Sequence, residues 1–191
     1  MTGKVFVIIA RKGAGKSSFI ERKILKPWGF RANYIYNVNN EYNDYVNAFT
    51  ETNTKENFLN VIEREASHPG ASSNIIFEEA TSYIRMQGGQ DGRLLNQLVR
   101  TFHTRNIVVF VFHSMLVIPK DLRSNIDFWI IFQTQDDEEE VKKFYKGRRD
   151  ILNAFLDVRE KTKGTYFDRD KKIYADARSK KFWHYYRVIA A

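Results

Sequence analysis

The chain has 191 residues, of which 43% are hydrophobic and 15% aromatic, so it suits one folded domain with a sizeable core and is too apolar for a disordered chain. It contains no cysteine, which excludes disulfide frameworks, thiolate metal sites and cysteine nucleophiles. The longest apolar runs, at 5–10 and 107–112, are far too short to span a membrane, and no secretory leader is visible. We therefore expect a cytoplasmic protein with no membrane span.

The formal net charge of +8 is concentrated near the end of the chain. Residues 142–187 carry 15 Lys or Arg against 6 Asp or Glu, whereas the remainder carries 16 against 17. This excess is either a solvated lysine-rich surface or a face that meets a polyanion.

Short apolar runs alternate with helical patterns along the chain. Runs of β-branched and aromatic residues predict strands at 5–9, 34–36, 74–77, 107–112 and 128–132. Apolar spacing and stop signals predict helices at about 16–25, 54–65 and 93–101, with an acidic helix start at 136–140. Two short runs around Asp168-Arg169-Asp170 predict a β-hairpin after about residue 164. This alternation predicts an α/β fold, with a mainly parallel central sheet and helices on both faces.

The first strand is followed by a segment that matches a phosphate-binding loop. The pattern G-x-x-x-x-G-K-[ST] between a buried strand and a helix is present, with Ala10 in the place of the first glycine. In such loops backbone N–H groups wrap the phosphates, the lysine reaches the β- and γ-phosphates, and the hydroxyl binds Mg²⁺. We therefore predict that ATP with Mg²⁺ binds here, with Lys16 as the catalytic cation and Ser17 as a metal ligand. The predicted nucleotide-binding residues are Ala10, Arg11, Lys12, Gly13, Ala14, Gly15, Lys16, Ser17 and Ser18. The alternative is a chance Gly-Lys-Ser at a strand-to-helix turn.

Two acids stand at the end of the third predicted strand, in Ile75-Ile76-Phe77-Glu78-Glu79. An apolar strand that ends in two acids is the Walker B pattern, with Glu78 where aspartate is usual. We expect Glu78 to hold Mg²⁺ and Glu79 to orient and polarise the attacking water. The alternative is a pair of exposed acids without a catalytic role.

The fourth predicted strand has candidate residues at both ends. His113 and Ser114 follow it, where a polar residue either senses the γ-phosphate or forms a structural hydrogen bond. Arg100 and Arg105 precede it. Either arginine is a candidate finger that completes a neighbouring subunit's site, and the alternative for both is a surface position.

Taken together, these segments resemble the FtsK/HerA-type translocases, especially the small ATPases that package DNA in tailless, membrane-containing viruses. Residues 37–42 resemble the family's Asp-Pro-x-x-Glu-Tyr-like segment, and residues 103–107 resemble its Arg-His-x-Asn-Ile stretch. His113-Ser114 stands where the family has a sensor glutamine or a similar polar residue. The similarity covers about residues 4–136.

The chain departs from the family pattern at four places. Ala10, Glu78 and Asn37 replace the usual Gly, Asp and Asp. The expected finger arginine falls near His103 without matching it, so the resemblance does not decide between Arg100 and Arg105.

The resemblance implies a P-loop NTPase fold of the RecA-like, ASCE type. It also implies a homo-oligomeric ring, a pentamer or hexamer, that encircles double-stranded DNA and moves it by ATP hydrolysis, with the ATP site at each subunit interface. The implied partners include a viral capsid or portal protein, and the implied location is the host cytoplasm. We expect residues 1–141 to form the ATPase core and residues 142–191 to form a basic extension packed on the same domain, facing DNA or a neighbour.

Three other functions fit parts of the pattern. The assembly and export ATPases of filamentous phages are similar, but they usually carry a membrane span. Small-molecule kinases also use a P-loop, but they do not need the second acid of Glu78-Glu79. A non-motor nucleotide-binding regulator would bind ATP without relying on its turnover.

Overall fold

The computed structural model describes residues 3–27, 32–36, 42, 55–83, 104–162, 167–168, 173–174 and 185–190. The strands are β1 (Lys4–Ile9), β2 (Ala32–Tyr36), β3 (Ser73–Phe77), β4 (Ile107–Phe112), β5 (Phe128–Ile131), β6 (Phe167–Asp168), β7 (Ile173–Tyr174) and β8 (Arg187–Ala190). The helices are α1 (Lys16–Ile20), which continues as a π-helical turn (Glu21–Leu25), α2 (Lys55–Glu65), α3 (Ala80–Tyr83), α4 (Lys120–Arg123), α5 (Glu138–Phe144) and α6 (Arg149–Lys161).

Six of these strands form one sheet in the order β2-β3-β4-β1-β5-β8. The first five are parallel to their neighbours, and β8 is antiparallel to β5. β1 is paired with β4 along its whole length and with β5 over its last four residues. The predicted α/β fold with a mainly parallel sheet is confirmed. Strand β4, which follows Glu78-Glu79 in the chain, lies between β3 and β1.

The sheet is covered on both faces, which is why its central strands are continuous apolar runs. Along β1, Val5, Val7 and Ile9 pack on one face in a cluster that also contains residues of α2, α5 and α6. Ile8 packs on the other face with Ile20 of α1 and with the π-helical turn. All six residues of β4 are buried. The two faces therefore have separate cores, with the helix after the loop on one side and most other helices on the opposite side.

The last third of the chain differs from the expectation in two elements. Helix α6 was not predicted, although Ile151, Ala154, Phe155 and Val158 are buried at three- and four-residue spacing. Strand β8 was not predicted either; it has only four residues, and most of them are exposed.

The hairpin is confirmed, since β6 pairs antiparallel with β7. The predicted helix at 93–101 lies outside the described residues. The division at residue 141 stays a prediction, and residues on both sides of it contribute to one core cluster.

Asn106 joins several elements at the edge of the sheet where the parallel strands begin. Its side-chain amide donates to the carbonyl of Ala66 at 2.6 Å, and its Oδ1 accepts from the backbone N–H of Ser73 at 2.9 Å. Its carbonyl accepts from the backbone N–H of Lys4 at 2.9 Å. The side chain is buried, so this residue of the family-like stretch at 103–107 holds the end of α2 to the starts of β1 and β3.

We predict that Asn106→Ala lowers the free energy of unfolding by roughly 2–4 kcal/mol, because it leaves a buried N–H and a buried carbonyl without their partners. Urea denaturation of both proteins measures the difference. Asn125→Ala is the matched control, since the Asn125 side chain bonds an exposed turn carbonyl, that of Asp121. A similarly small loss for both variants would contradict the structural role of Asn106.

Among the described residues, no helix combines the length and the apolar character that a membrane span requires.

Candidate active site

The loop after β1 is held at the carboxyl edge of the sheet by the strands on either side. The backbone N–H of Ala10 donates to the carbonyl of Phe112 at 3.0 Å, and that of Arg11 donates to Gln133 at 2.8 Å. Gly13 and Gly15 have φ angles of 81° and 93°, a left-handed conformation that side chains disfavour. The loop therefore reaches the first turn of α1 with its glycines where the backbone needs them.

The burial of Ala10 accounts for an alanine in the place of the usual glycine. It is fully buried, and it belongs to the core cluster that contains Ile8 and Ile20. Its methyl group therefore packs into the protein interior. The substitution is compatible with the loop conformation.

Lys16 begins α1 and forms a buried ion pair with the first acid after β3. Its Nζ lies 3.2 Å from Oε1 of Glu78, with side-chain exposures of 9% and 0%. A charge buried this deeply is stable only when it is paired, and removing one partner of such a pair is strongly destabilising. The two sequence motifs, separated by 62 residues, thus meet directly.

His113 connects the second acid to the loop. Its Nδ1 lies 3.0 Å from the carbonyl oxygen of Ala10, and its Nε2 lies 3.0 Å from Oε2 of Glu79. A carbonyl only accepts hydrogen bonds, and so does an ionised carboxylate, so this geometry requires protons on both ring nitrogens. The hydrogen bond from His113 lowers the pKa of Glu79, and the same bond raises the pKa of His113. Both shifts favour an imidazolium paired with a carboxylate.

Ser114 makes different hydrogen bonds from those of His113. Its hydroxyl donates to a carboxylate oxygen of Asp136, and the backbone N–H of Met115 donates to the other oxygen at 2.8 Å. Asp136 follows β5, so these bonds tie the turn after β4 to the end of the next strand. Of the two candidates for the γ-phosphate sensor, His113 contacts Glu79 and the loop, whereas Ser114 supports the turn.

Ser17 and Glu78 supply the oxygen donors that Mg²⁺ prefers, a hydroxyl and a carboxylate. No group of three or more His, Asp or Glu residues that could hold a metal by itself occurs in the described part of the chain. Mg²⁺ usually binds through one or two protein oxygens together with nucleotide phosphates and water. The donor set therefore fits a metal that arrives with the nucleotide.

The other predicted residues lie at different distances from this centre. Arg11 is half-buried, and burial lowers its pKa, whereas Lys12 is exposed. Arg105 is exposed and precedes β4, so the six-residue strand separates it from the loop by about 20 Å. Arg105 therefore does not reach the loop of its own chain, and its role as a finger for a neighbouring subunit stays a prediction. Arg100 lies outside the described residues.

A cleft of about 110 Å³ lies beside the loop and was not predicted from the sequence. Its lining residues are Gly15, Ser18, Phe19, Arg22, Lys23, Phe132 and Tyr186. The rings of Phe19 and Phe132 lie 4.9 Å and 5.0 Å from that of Tyr186. Tyr186 immediately precedes β8, so the cleft depends on a strand that the sequence pattern did not reveal.

We predict that His113→Ala lowers stability in a pH-dependent way. The raised pKa of His113 stabilises the fold fully below its usual value of 6.5, and the lowered pKa of Glu79 does so above its usual value of 4.5. The loss should thus be largest between pH 4.5 and 6.5, and it should shrink as the pH rises through the pKa of His113 in the folded protein. Denaturant unfolding across this range measures it, and the exposed His68→Ala is the control. A gap that is constant with pH would contradict the ion pair.

No protein-family model matches the chain, and no curated protein matches it significantly in sequence. Solved structures do match. The DNA-packaging ATPase B204 of Sulfolobus turreted icosahedral virus aligns with a TM-score of 0.64 at 16% identity, over 91% of this chain and 97% of that one. The genome-packaging NTPase B204 of Sulfolobus turreted icosahedral virus 2, in complex with AMPPCP, aligns with a TM-score of 0.64 at 14% identity, over 90% and 95%.

A more distant match is the pCW3 conjugation coupling protein TcpA with ATPγS, at a TM-score of 0.50 and 13% identity, over 74% of this chain and 51% of that one. Identities this low establish a common fold. The resemblance that the sequence motifs predicted is therefore confirmed at the level of the fold: the chain shares the fold of the two viral genome-packaging ATPases.

Proposed function

We propose that this protein is an ATPase that moves double-stranded DNA and packages a viral genome as a homo-oligomeric ring. The observation that carries the proposal is the meeting of two ion pairs at the loop, Lys16 with Glu78 and His113 with Glu79. A strand-to-helix loop with a lysine and two nearby acids is the machinery of P-loop NTPases. The fold shared with packaging ATPases supports the same function.

In this proposal, different groups of the chain carry out different parts of the hydrolytic step. The backbone N–H groups of the loop bind the phosphates, and the ammonium of Lys16 leaves Glu78 for the β- and γ-phosphates. Glu79, whose low pKa keeps it ionised at neutral pH, accepts a hydrogen bond from the attacking water and then its proton. When bound by Ser17 and Glu78, Mg²⁺ neutralises phosphate charge.

His113 links nucleotide binding to this step. Its Nε2–H is bonded to Glu79, so this carboxylate oxygen is occupied. A γ-phosphate next to Lys16 brings negative charge that competes for the imidazolium. When His113 turns to the phosphate, Glu79 becomes free to bind water. This exchange is the sensor role proposed for His113.

The DNA-handling part of the proposal rests on charge. Exposed cations in the basic segment include Lys143, Lys146 and Arg149, and contacts from such residues to DNA phosphates do not depend on base sequence. Arg105, or Arg100, is proposed to complete the site of the adjacent subunit in a pentamer or hexamer, and a capsid or portal protein is the proposed docking partner. A non-motor regulator would instead bind ATP with no stimulation of turnover by DNA.

We predict that Glu79→Gln binds ATP with Mg²⁺ but lowers kcat by roughly 100-fold or more, because the amide cannot accept the water's proton. Steady-state ATPase assays with and without double-stranded DNA, beside a mass measurement of the oligomer, test this together with the motor function. Glu140→Gln, at an exposed position on α5, is the matched control. If Glu78→Gln were inactive and Glu79→Gln nearly normal, the two acids would have the opposite roles.

We further propose that the aromatic cleft beside the loop binds the adenine base. The cleft adjoins Gly15 and Ser18 of the loop, so a nucleotide whose phosphates lie in the loop has its base within reach. The faces of Phe19 and Tyr186 are surfaces on which a base can stack.

Comparing ATP with tripolyphosphate separates the two parts of the nucleotide site. Tyr186→Ala should weaken ATP binding about tenfold, the usual scale of one base–aromatic stack, and leave Mg²⁺-tripolyphosphate binding unchanged. Lys16→Arg, which keeps the charge that pairs with Glu78, should weaken both ligands. Calorimetry measures the affinities, and Tyr185→Phe is the control. Equal losses of both ligands in Tyr186→Ala would contradict the base site.

A further inference from the structure

A second cleft lies on the sheet face opposite to α1. Its volume is about 220 Å³, and α4, β5, α5 and the start of α6 form its walls. Trp129 and Tyr145 in its lining belong to the core cluster of that face, whereas Ile20 and Ile24 of α1 and its π-helical turn belong to the other cluster. The sheet therefore separates this cleft from the loop, and a ligand here does not compete with ATP.

Arg123 is the central cation of the cleft. Its guanidinium lies 4.2 Å from the ring centre of Phe144 and 5.6 Å from that of Tyr145. No carboxylate pairs with it among the described residues, and its Nε is buried without a hydrogen-bond acceptor. Stacking on aromatic rings holds a guanidinium flat and leaves its N–H edge available, an arrangement suited to phosphate. Arg123 is thus oriented without a counterion from the described part of the chain.

The other polar groups in the cleft are also donors. Trp129 is fully buried, and its Nε1–H has no acceptor among the residues that the structure describes. Arg148 lies 6.0 Å from the Trp129 ring and is held by Asp150 through two hydrogen bonds. The hydroxyl of Tyr145 is already committed as a donor to the carbonyl of Met115 at 2.8 Å. A cleft with unpartnered donors favours an anionic ligand.

The rim of the cleft adds more positive charge. Lys120 lines it, Lys146 stands between two lining residues, and Arg149 follows Arg148. All three are exposed, and none forms an ion pair within the described parts of the chain. Several unpaired cations around one oriented arginine suit a ligand with many regularly spaced charges, and double-stranded DNA carries about one charge per 1.7 Å of its axis.

We propose that this cleft binds a backbone phosphate of double-stranded DNA, with Arg123 as the main contact and Lys120, Lys146 and Arg149 on neighbouring phosphates. The proposal rests on the proposed DNA-moving function, and it names where the chain holds the duplex. It includes two residues of α4 that lie outside the basic segment at 142–187.

A short series of bonds connects this cleft with the hydrolytic site. Tyr145 contacts Arg123 and bonds the carbonyl of Met115. Met115 is two residues after His113, in the turn that Asp136 holds. A phosphate bound to the N–H edge of Arg123 changes the charge beside Tyr145, and therefore the surroundings of the turn that carries the sensor. The proposal accordingly includes DNA stimulation of ATPase activity through Tyr145.

The first test measures DNA affinity at several salt concentrations. Arg123→Ala should bind a duplex of arbitrary sequence about tenfold more weakly, and the salt dependence should fall by about one released ion. Lys161→Ala removes one exposed, unpaired cation at the far end of α6, and it should bind DNA like the parent. Unfolding measurements on both variants confirm that they are folded. Equal affinities for Arg123→Ala and the parent would overturn the proposal, as would equal losses in both variants, because only net charge would then matter.

The second test uses Trp129 as a reporter. The chain's other tryptophans are Trp28 and Trp183, so replacing both with phenylalanine leaves Trp129 alone. Duplex DNA should change its fluorescence, and the change should disappear in the Arg123→Ala background. No change with DNA bound would overturn the proposed place of contact. A parent protein that hydrolyses ATP but binds no DNA would instead remove the proposed motor function.

The third test addresses the proposed connection between the cleft and the hydrolytic site through Tyr145. Tyr145→Phe keeps the ring that contacts Arg123 and removes the bond to Met115. It should bind DNA with the parent's affinity and lose most of the stimulation of ATPase activity by DNA. Full stimulation in this variant would overturn the proposed route.

Discussion

The pairing of β1 with both β4 and β5 is the constraint on which the site depends. Because β1 is hydrogen-bonded on both sides and buried on both faces, the loop that follows has little freedom. The bonds of Ala10 and Arg11 extend the same pairing past the end of the strand. The position of β4 between β1 and β3 then brings His113 and the two acids to the loop. A shift of one residue in this register would move each side chain of β1 from the core on one face of the sheet to the core on the other face.

The two buried or half-buried ion pairs are a source of both stability and latent reactivity. Lys16 and Glu78 are nearly inaccessible to solvent, so neither charge can be lost without leaving the other unpaired in the interior. A Lys16 variant that fails to bind ATP therefore has two defects. It lacks a phosphate contact, and it leaves the Glu78 carboxylate buried without its partner, which destabilises the fold. This is why Lys16→Arg is a better test than Lys16→Ala of what the ammonium does for the nucleotide. In the proposed mechanism, Lys16 stays paired with Glu78 only until the phosphates of ATP bind.

Local patterns in the sequence revealed the loop, the acid pair and the strands, because each is encoded in consecutive residues. The contacts between them could not be predicted, since the meeting of Lys16 with Glu78 depends on sheet register over 62 residues. The role of Asn106 was hidden for the same reason: its partners lie in α2 and β3. Helix α6 could have been predicted from the spacing of its buried apolar residues. Its many charged residues instead indicated an exposed surface segment. β8 was not within reach, because an edge strand with exposed side chains has no signature of its own.

Histidine at position 113 gives the site a charge that a neutral amide would not supply. The two acceptors around it, the carbonyl of Ala10 and the carboxylate of Glu79, lie on opposite ring nitrogens, and a glutamine has only one nitrogen from which to donate. Two cations and two acids at the loop therefore neutralise one another in pairs. In the proposed mechanism, the phosphates of ATP would draw Lys16 and His113 toward themselves, and both acids would be released together. One released acid would then be available to the metal that accompanies the nucleotide and the other to water, so a single exchange of partners would prepare both.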